Sequence, residues 1–181
     1  MGSYELQSED ILAQDRHWLA LNKPRGIPSQ GRPGVSGEGL YESVLRAFPG
    51  ERFWTVHFLD RVTSGVWLLA KTAEACRRIT EQFAARQVRK TYVAWVIGRP
   101  PAVSGVIDLP LTREGGRPRV DLHSGKPAKT RYRVLRQTPE ASLLFLRPAT
   151  GRTHQLRVHL SAIGYPIWGD PIYGGGNEPC L

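Results

Sequence analysis

The chain has 181 residues, 40% of them hydrophobic, which is the size and composition of one globular domain with at most a short appendage. Its 25 lysines and arginines outnumber its 16 aspartates and glutamates and give a formal net charge of +9. This surplus favours an anionic partner, either nucleic acid or an anionic membrane surface, although a basic surface can also serve solubility alone.

A membrane-spanning protein is not expected, because no apolar run approaches the roughly 20 residues that a spanning helix needs. The first residues lack the basic-then-apolar order of a secretory signal, so we expect a cytoplasmic protein. The two cysteines form no CxxC pair and the five histidines form no ligand cluster, which argues against a metal site.

The first half of the chain alternates short strands and helices. After a polar lead-in over 1–16, the pattern predicts a strand over 17–22, a loop rich in glycine and proline over 24–39, and a helix over 39–48. A strand over 55–59, a turn over 60–65 and a strand over 66–70 follow. Thr72 is the predicted N-cap of a helix over 73–86.

The second half is richer in strands. Alternation over 90–97 places Tyr92, Ala94 and Val96 on one face of a strand, and further strands are predicted over 106–109, 130–135 and 142–147. A helix capped by Thr153 is predicted over 153–163. Many strands with few helices indicate an α+β fold on a mostly antiparallel sheet.

Asp60 is the first candidate for chemistry. It follows an apolar strand, and Thr63, Ser64 and Gly65 supply hydroxyl groups and a tight turn beside it. A carboxylate held in this way can face a cleft. An ordinary aspartate that satisfies its own turn is the alternative, and the pattern alone favours that alternative.

The segment Gly151-Arg152-Thr153-His154-Gln155-Leu156-Arg157 is the second candidate. His154 and Arg157 share a helix face, and Arg152 with the first free backbone N–H groups forms a phosphate site. An arginine that reached Asp60 would keep it ionised, because positive charge favours a charged carboxyl group. Alternatively, the basic side chains only solvate an amphipathic helix. Tyr92 can likewise stack on a base or fill the core.

Together these segments resemble the RluA-like family of RNA pseudouridine synthases. The family hallmark His-Arg-Leu-Asp-x-x-Thr-Ser-Gly corresponds to HFLDRVTSG at 57–65. Four more segments are similar to family motifs: LNKPRG at 21–26, RKTYVAWVIG at 89–98, KPAKTRYRVL at 126–135 and PATGRTHQLRVHLSAIGYPIWGDPIYG at 148–174. The resemblance runs from about residue 17 to the end, so we expect a catalytic domain over 17–181.

The resemblance implies an isomerase that converts uridine to pseudouridine in structured tRNA or large-subunit rRNA, on a mixed, mostly antiparallel curved sheet with a few flanking helices. It implies a catalytic set of Asp60, Tyr92 and Arg157 and no metal or organic cofactor. RNA is the expected partner, and we expect a monomer with no obligate protein partner. The residues expected to bind RNA are Phe58, Arg61, Thr63, Lys90, Lys129, Arg152 and His154.

Three departures from the family pattern qualify this expectation. Phe58 stands where the family usually has arginine, and its ring can stack in the gap left by a flipped base, mark a change of substrate, or belong to the core. The sequence ends soon after GDPIYG, which is short for the family, and the lead-in is too short for a separate RNA-binding module. The alternative functions are a catalytically inactive RNA-binding or RNA-chaperone protein on the same fold and, on net charge alone, a basic membrane-surface protein.

Overall fold

The computed structural model describes residues 4–31, 37–114 and 116–174. Contacts divide the chain into two compact units, Met1–Gln87 and Val88–Leu181. Each unit contains a four-stranded sheet in which every strand pair is antiparallel. The units are described one at a time.

The first unit builds its sheet from four strands in the order β1-β2-β4-β3: β1 (Ile11–Gln14), β2 (Trp18–Lys23), β3 (Trp54–Thr55) and β4 (Gly65–Ala70). Two helices belong to this unit, α1 (Leu40–Ala47) and α2 (Ala73–Ala84), after a short 3-10 turn over Ser8–Asp10. Its core is a cluster of buried side chains: Leu19, Leu21, Leu40, Val44, Phe53, Trp67 and Leu69.

The predicted helix after Thr72 is confirmed, since the Thr72 hydroxyl accepts a 3.1 Å hydrogen bond from the Ala75 N–H. The lead-in is more ordered than expected, because β1 pairs with β2. The strand predicted over 55–59 is wrong beyond Thr55. Side chains replace the ladder there: Trp67 Nε1 donates to the His57 carbonyl, and the Ser29 hydroxyl bonds both the N–H and the C=O of Leu59.

The second unit orders its main sheet β5-β10-β9-β6, with β5 (Tyr92–Ile97), β6 (Ser104–Asp108), β9 (Lys129–Gln137) and β10 (Ala141–Pro148). A hairpin-like pair, β7 (Leu111–Thr112) and β8 (Arg119–Val120), and helix α3 (Gln155–Ala162) complete it. Leu160 of α3 packs with Val96, Ile107, Leu144 and Leu146 in the core of this unit. Tyr92 and Ala94 pack against the same cluster, which confirms the predicted face of β5.

Helix α3 begins two residues later than predicted, and Thr153 is not its cap. His154 occupies the N-cap position with a left-handed backbone (φ 54°). The side chain of Gln155 orders the preceding turn, because its Oε1 accepts from the Arg152 N–H at 3.0 Å and from the Thr150 hydroxyl at 2.6 Å. The side chain of Gln155, two residues further along, therefore replaces the Thr153 cap that the sequence suggested.

The architecture is α+β, with antiparallel sheets and three α-helices over the described residues, as the sequence predicted. None of the helices in these ranges is long and apolar enough to cross a bilayer.

Candidate active site

Asp60 lies between two residues whose backbones are both anchored. On one side, the Ser29 hydroxyl donates to the Leu59 carbonyl at 3.0 Å and accepts from the Leu59 N–H at 3.1 Å. On the other, the Arg61 carbonyl accepts from the Gly26 N–H at 2.8 Å, and Arg61 Nε donates back to the Gly26 carbonyl at 2.7 Å. The loop over 24–29 thus fixes the chain on both sides of the carboxylate.

Lys23 connects the same two segments from inside the unit. The residue has 0% exposure. Its Nζ donates to the carbonyls of Pro24 at 2.9 Å, Ile27 at 2.7 Å and Arg61 at 3.5 Å. Burial lowers the pKa of Lys23 from 10.5 to about 8, while the negative charge of Asp60 acts in the opposite direction. A buried ammonium group therefore holds the turn that carries Asp60.

The other residues of the hallmark segment have distinct surroundings. Phe58 is 62% exposed, so it is not a core residue. The Thr63 N–H donates to the Asp60 carbonyl at 3.0 Å, closing the predicted turn. His57 has a structural role: its ring stacks on Phe83 at 5.0 Å between centroids, and its Nε2 accepts from the Leu68 N–H at 2.9 Å.

Arg157 forms a buried, bidentate pair with Asp170 in the second unit. Its Nε and an Nη donate to the two carboxylate oxygens at 2.7 and 2.9 Å, and the two side chains are 6% and 2% exposed. Burial alone would raise the pKa of Asp170. The hydrogen bonds from Arg157 and from the N–H groups of Ile172 and Tyr173 outweigh burial, and the pKa lies below its ordinary value.

The ring of Tyr173 contacts three basic side chains near this pair. Arg157 lies over its ring at 5.1 Å and Arg117 at 4.4 Å from the centroid, and His154 meets it edge-on at 5.7 Å. The Tyr173 hydroxyl donates to the Pro118 carbonyl at 3.0 Å, so it accepts from His154 Nδ1 at 3.0 Å. His154 and Arg157 are therefore brought together around one ring.

The interpretation of α3 as an amphipathic helix with a solvated basic face is wrong. Arg157 and His159 are both buried. His159 Nε2 contacts the Leu109 carbonyl at 2.9 Å and must carry a proton there, whereas Nδ1 faces the Thr130 hydroxyl at 2.9 Å. Burial lowers the pKa of His159, against the opposite effect of the Leu109 bond, so the ring is neutral at pH 7 and structural.

The remaining sequence candidates are held by neighbours in the second unit. Lys90 Nζ donates to the Thr150 carbonyl at 3.1 Å, and Arg152 Nε donates to the Pro127 carbonyl at 3.3 Å. Lys129 pairs with Asp108 at 2.7 Å on the surface. Tyr92 is half-buried against the core.

Sequence reasoning assigned no role to Lys23, Asp170 or Tyr173. All three lie in the segments that resemble family motifs, and that membership was the only available signal. Within the described ranges, no group of three or more histidine, cysteine, aspartate or glutamate side chains is placed to hold a metal ion.

Comparisons with known proteins agree with this fold and these motifs. Residues 17–162 match the RNA pseudouridylate synthase family. An uncharacterized RNA pseudouridine synthase of Chloroflexus aurantiacus is 44% identical over 164 residues, covering 84% of this chain and 51% of that protein. The dual-specificity RNA pseudouridine synthase RluA of Salmonella typhi is 41% identical over 168 residues, covering 90% of this chain and 76% of RluA.

The structure of human RNA pseudouridylate synthase domain containing 4 superposes with a TM-score of 0.76 at 32% identity, covering 92% of this chain and 69% of that one. The fold is therefore that of an RNA pseudouridylate synthase domain. The chain belongs to the RluA-like family of these synthases. It spans about half the length of the Chloroflexus relative.

We predict that Lys23 makes the stability of the protein rise with pH in the alkaline range. The unfolded chain binds a proton up to its pKa of 10.5, whereas the folded state releases it near pH 8, so the unfavourable buried charge is relieved between these values. The difference between these two pKa values corresponds to roughly 3 kcal/mol of stability.

Urea unfolding between pH 7 and 10.5 should show that wild type gains stability relative to Lys23→Met. Lys126→Met, which removes an exposed lysine, should parallel wild type. Parallel curves for Lys23→Met would contradict the prediction.

We predict that Asp170→Asn lowers the free energy of unfolding at pH 7 by about 3–5 kcal/mol, because it leaves the Arg157 charge buried without this carboxylate. The folded pKa of Asp170 is depressed, so its contribution is complete above the unfolded value near 3.8 and is lost as pH falls through the lower folded value. The difference in free energy of unfolding between the variant and wild type should therefore narrow in acid.

The control is Asp108→Asn, which removes the exposed pair with Lys129 (59% and 46% exposed) and should lower the free energy of unfolding by less than about 1 kcal/mol. Equal losses in the two variants would refute a special role for the buried pair.

Proposed function

We propose that the protein isomerises uridine to pseudouridine in structured tRNA or large-subunit rRNA, with Asp60 as the catalytic carboxylate. The observation that carries the proposal is the anchoring of Leu59 and Arg61 on either side of Asp60, inside a segment that matches the family hallmark. A carboxylate on a fixed backbone is already positioned before the substrate arrives, which is what electrostatic and covalent catalysis both require.

The reaction breaks the bond between uracil N1 and the ribose anomeric carbon and forms a bond from C5 to the same carbon. C5 loses its proton and N1 gains one, so the product is an isomer of the substrate. A carboxylate can assist by attacking the anomeric carbon, by attacking the uracil ring, or by removing a ribose proton to give a glycal. Each route uses Asp60 in its charged form.

Tyr92 and Arg157 complete the proposed catalytic set. Tyr92 would form one wall of a pocket that retains the detached uracil, in keeping with its half-buried position against the apolar core of the second unit. Arg157 would stabilise the negative charge of Asp60. Its rigid pairing with Asp170 supports this role, because a guanidinium held by two hydrogen bonds keeps its remaining donors in a fixed direction.

The proposed RNA contacts come from cationic and aromatic side chains of both units. Arg61, Lys90 and Arg152 donate to backbone carbonyls, so we assign them a positioning role in addition to any phosphate contact. His154, Lys129, Thr63 and Phe58 complete the set. We propose RNA as the partner, the cytoplasm as the location and a monomer as the functional state.

The direct test is tritium release from RNA labelled at C5 of uracil, with total tRNA and with rRNA as separate substrates. Asp60→Asn should lose at least about a thousandfold in rate while RNA binding stays near wild type. Its stability should fall, because the negative charge that favours the buried Lys23 ammonium group is removed, but the protein should remain folded at the assay temperature. Asp15→Asn is a matched control, because Asp15 is an exposed turn aspartate of the same unit that bonds only backbone N–H groups among the hydrogen bonds of the described residues. If wild type binds RNA but releases no tritium from either substrate, the protein is an inactive RNA-binding member of the fold.

We predict that Phe58→Ala weakens turnover without harming the fold. A ring that is 62% exposed contributes little to the core, whereas an aromatic ring stacked on an unpaired base contributes about 1–3 kcal/mol. We therefore expect kcat/KM to fall roughly tenfold to a hundredfold, with stability within about 0.5 kcal/mol of wild type. Val66→Ala, an equally exposed apolar residue of the same unit, is the control and should retain full activity. Unchanged kcat/KM in Phe58→Ala would remove Phe58 from the substrate site.

A further inference from the structure

The second unit carries an unusual set of side chains on the sheet face opposite its core. Alternation along β10 directs Leu144 and Leu146 into the core, so Phe145 and Arg147 lie on the other face. Phe145 is paired with Val93 of β5 on one side and with Arg133 of β9 on the other, and Arg147 is opposite Arg131. We call this surface, defined by Val93, Arg131, Arg133, Phe145 and Arg147, the outer face.

Two arginines of the outer face lie over one aromatic ring, and a third arginine is opposite one of them. Arg131, Arg133 and Arg147 are all exposed. The guanidinium groups of Arg147 and Arg133 lie 5.0 and 5.7 Å from the centroid of Phe145. Among the described residues no salt bridge involves any of the three arginines, and the nearby Asp108 is occupied by Lys129.

This arrangement is unfavourable for the isolated protein. Arg131 and Arg147 are directly opposed across an antiparallel pair, and like charges in such positions destabilise a sheet. Stacking on Phe145 compensates only partly, because cation–π contacts at exposed sites are weak. A bound polyanion would remove the repulsion, since each guanidinium can donate two parallel hydrogen bonds to a phosphate.

We propose that the outer face is a second RNA-binding surface, which contacts phosphates through Arg131, Arg133 and Arg147 and stacks an unpaired base or a ribose on Phe145. The chemistry favours RNA over a membrane or a protein partner. Arginine forks recognise phosphate, an aromatic ring between them offers a stacking platform, and the exposed Val93 provides an apolar neighbour. A sheet face with this composition matches single-stranded or looped RNA.

The outer face is separate from the proposed catalytic residues of its own unit. Tyr92 pairs with Leu146 and points to the core side, the side on which α3 packs. An RNA segment on the outer face therefore differs from the one that would meet Tyr92. The inference rests on the proposed function for its biological meaning: the surface would hold parts of a large structured RNA beyond the stem-loop that carries the target uridine.

The test compares two triple variants that each reduce the net charge from +9 to +6, three charges fewer. The outer-face variant is Arg131→Gln, Arg133→Gln, Arg147→Gln. The control is Arg77→Gln, Arg78→Gln, Arg86→Gln on and after α2, where the arginines are equally exposed and two of them pair with glutamates. Fluorescence anisotropy with tRNA, over a series of salt concentrations, reports the Kd and its salt dependence.

The outer-face variant should bind tRNA about tenfold to a hundredfold more weakly, and the slope of log K against log salt should fall by about two to three. The control should change Kd less than about threefold. Tritium release from a minimal stem-loop at saturation should be unchanged in both variants. The outer-face variant should unfold at an equal or higher urea concentration than wild type, because a like-charge pair has been removed.

Other outcomes separate the possibilities. Equal weakening in the two triple variants would overturn the proposal, because net charge would then explain the binding. Unchanged tRNA binding with altered sedimentation would also overturn it and would assign the face to contacts between copies of the chain. If wild type shows no tritium release but the outer-face variant alone loses RNA affinity, the proposed function fails and the second surface stands.

Phe145→Leu, which keeps an apolar side chain, should weaken binding of unpaired RNA about tenfold.

Discussion

A buried ammonium group links the two segments that hold the candidate catalytic carboxylate. Residues 56–64 have almost no ladder hydrogen bonds of their own, so neither strand nor helix can fix Asp60. The bonds from Ser29 and Gly26 anchor the residues on either side of it, and Lys23 adds to them by donating to carbonyls on both segments that meet there. The cost of burying its charge is reduced by these acceptors and by Asp60 itself. The two charges are therefore interdependent: the lysine positions the carboxylate, and the carboxylate makes the buried lysine tolerable.

The second unit follows the same principle with a different cation. Helix α3 buries Gln155, Arg157 and His159, residues that are usually found on a helix surface. Each of them is matched by a specific partner: Gln155 by Thr150 and Lys129, Arg157 by Asp170, and His159 by Thr130 and Leu109. A buried polar network in which every donor and acceptor is hydrogen-bonded favours a single packing arrangement of the core. The motif at 148–174 therefore specifies the packing of this unit, in addition to the RNA contacts proposed for it.

Local patterns predicted the elements that local interactions stabilise. The alternation of Tyr92, Ala94 and Val96 and the cap by Thr72 both follow from neighbours within four residues, and both are confirmed. The failures involve side-chain hydrogen bonds that the sequence pattern does not reveal. Residues 56–59 have the pattern of a strand, but Ser29 and Trp67 form hydrogen bonds with their backbone groups in place of a neighbouring strand. Thr153 has the sequence position of a helix cap, but the Gln155 side chain accepts the hydrogen bond from the Arg152 N–H instead. Lys23 and Asp170 could not be found from spacing, because their roles depend on burial and on partners that no period in the sequence encodes.

The distinction between buried and exposed cations also changes how the net charge is interpreted. A surplus of +9 favoured an anionic partner, yet two of the cationic side chains, Lys23 and Arg157, are buried and hold other groups of the protein in place. Such cations contribute little to counterion release, which depends on charges that reach phosphates. The proposed RNA affinity would then come from exposed arginines that are not already paired with carboxylates. This condition is met by three exposed arginines on one sheet face, Arg131, Arg133 and Arg147. Because they repel one another, the proposed surface would be more stable with an anionic ligand bound than without one.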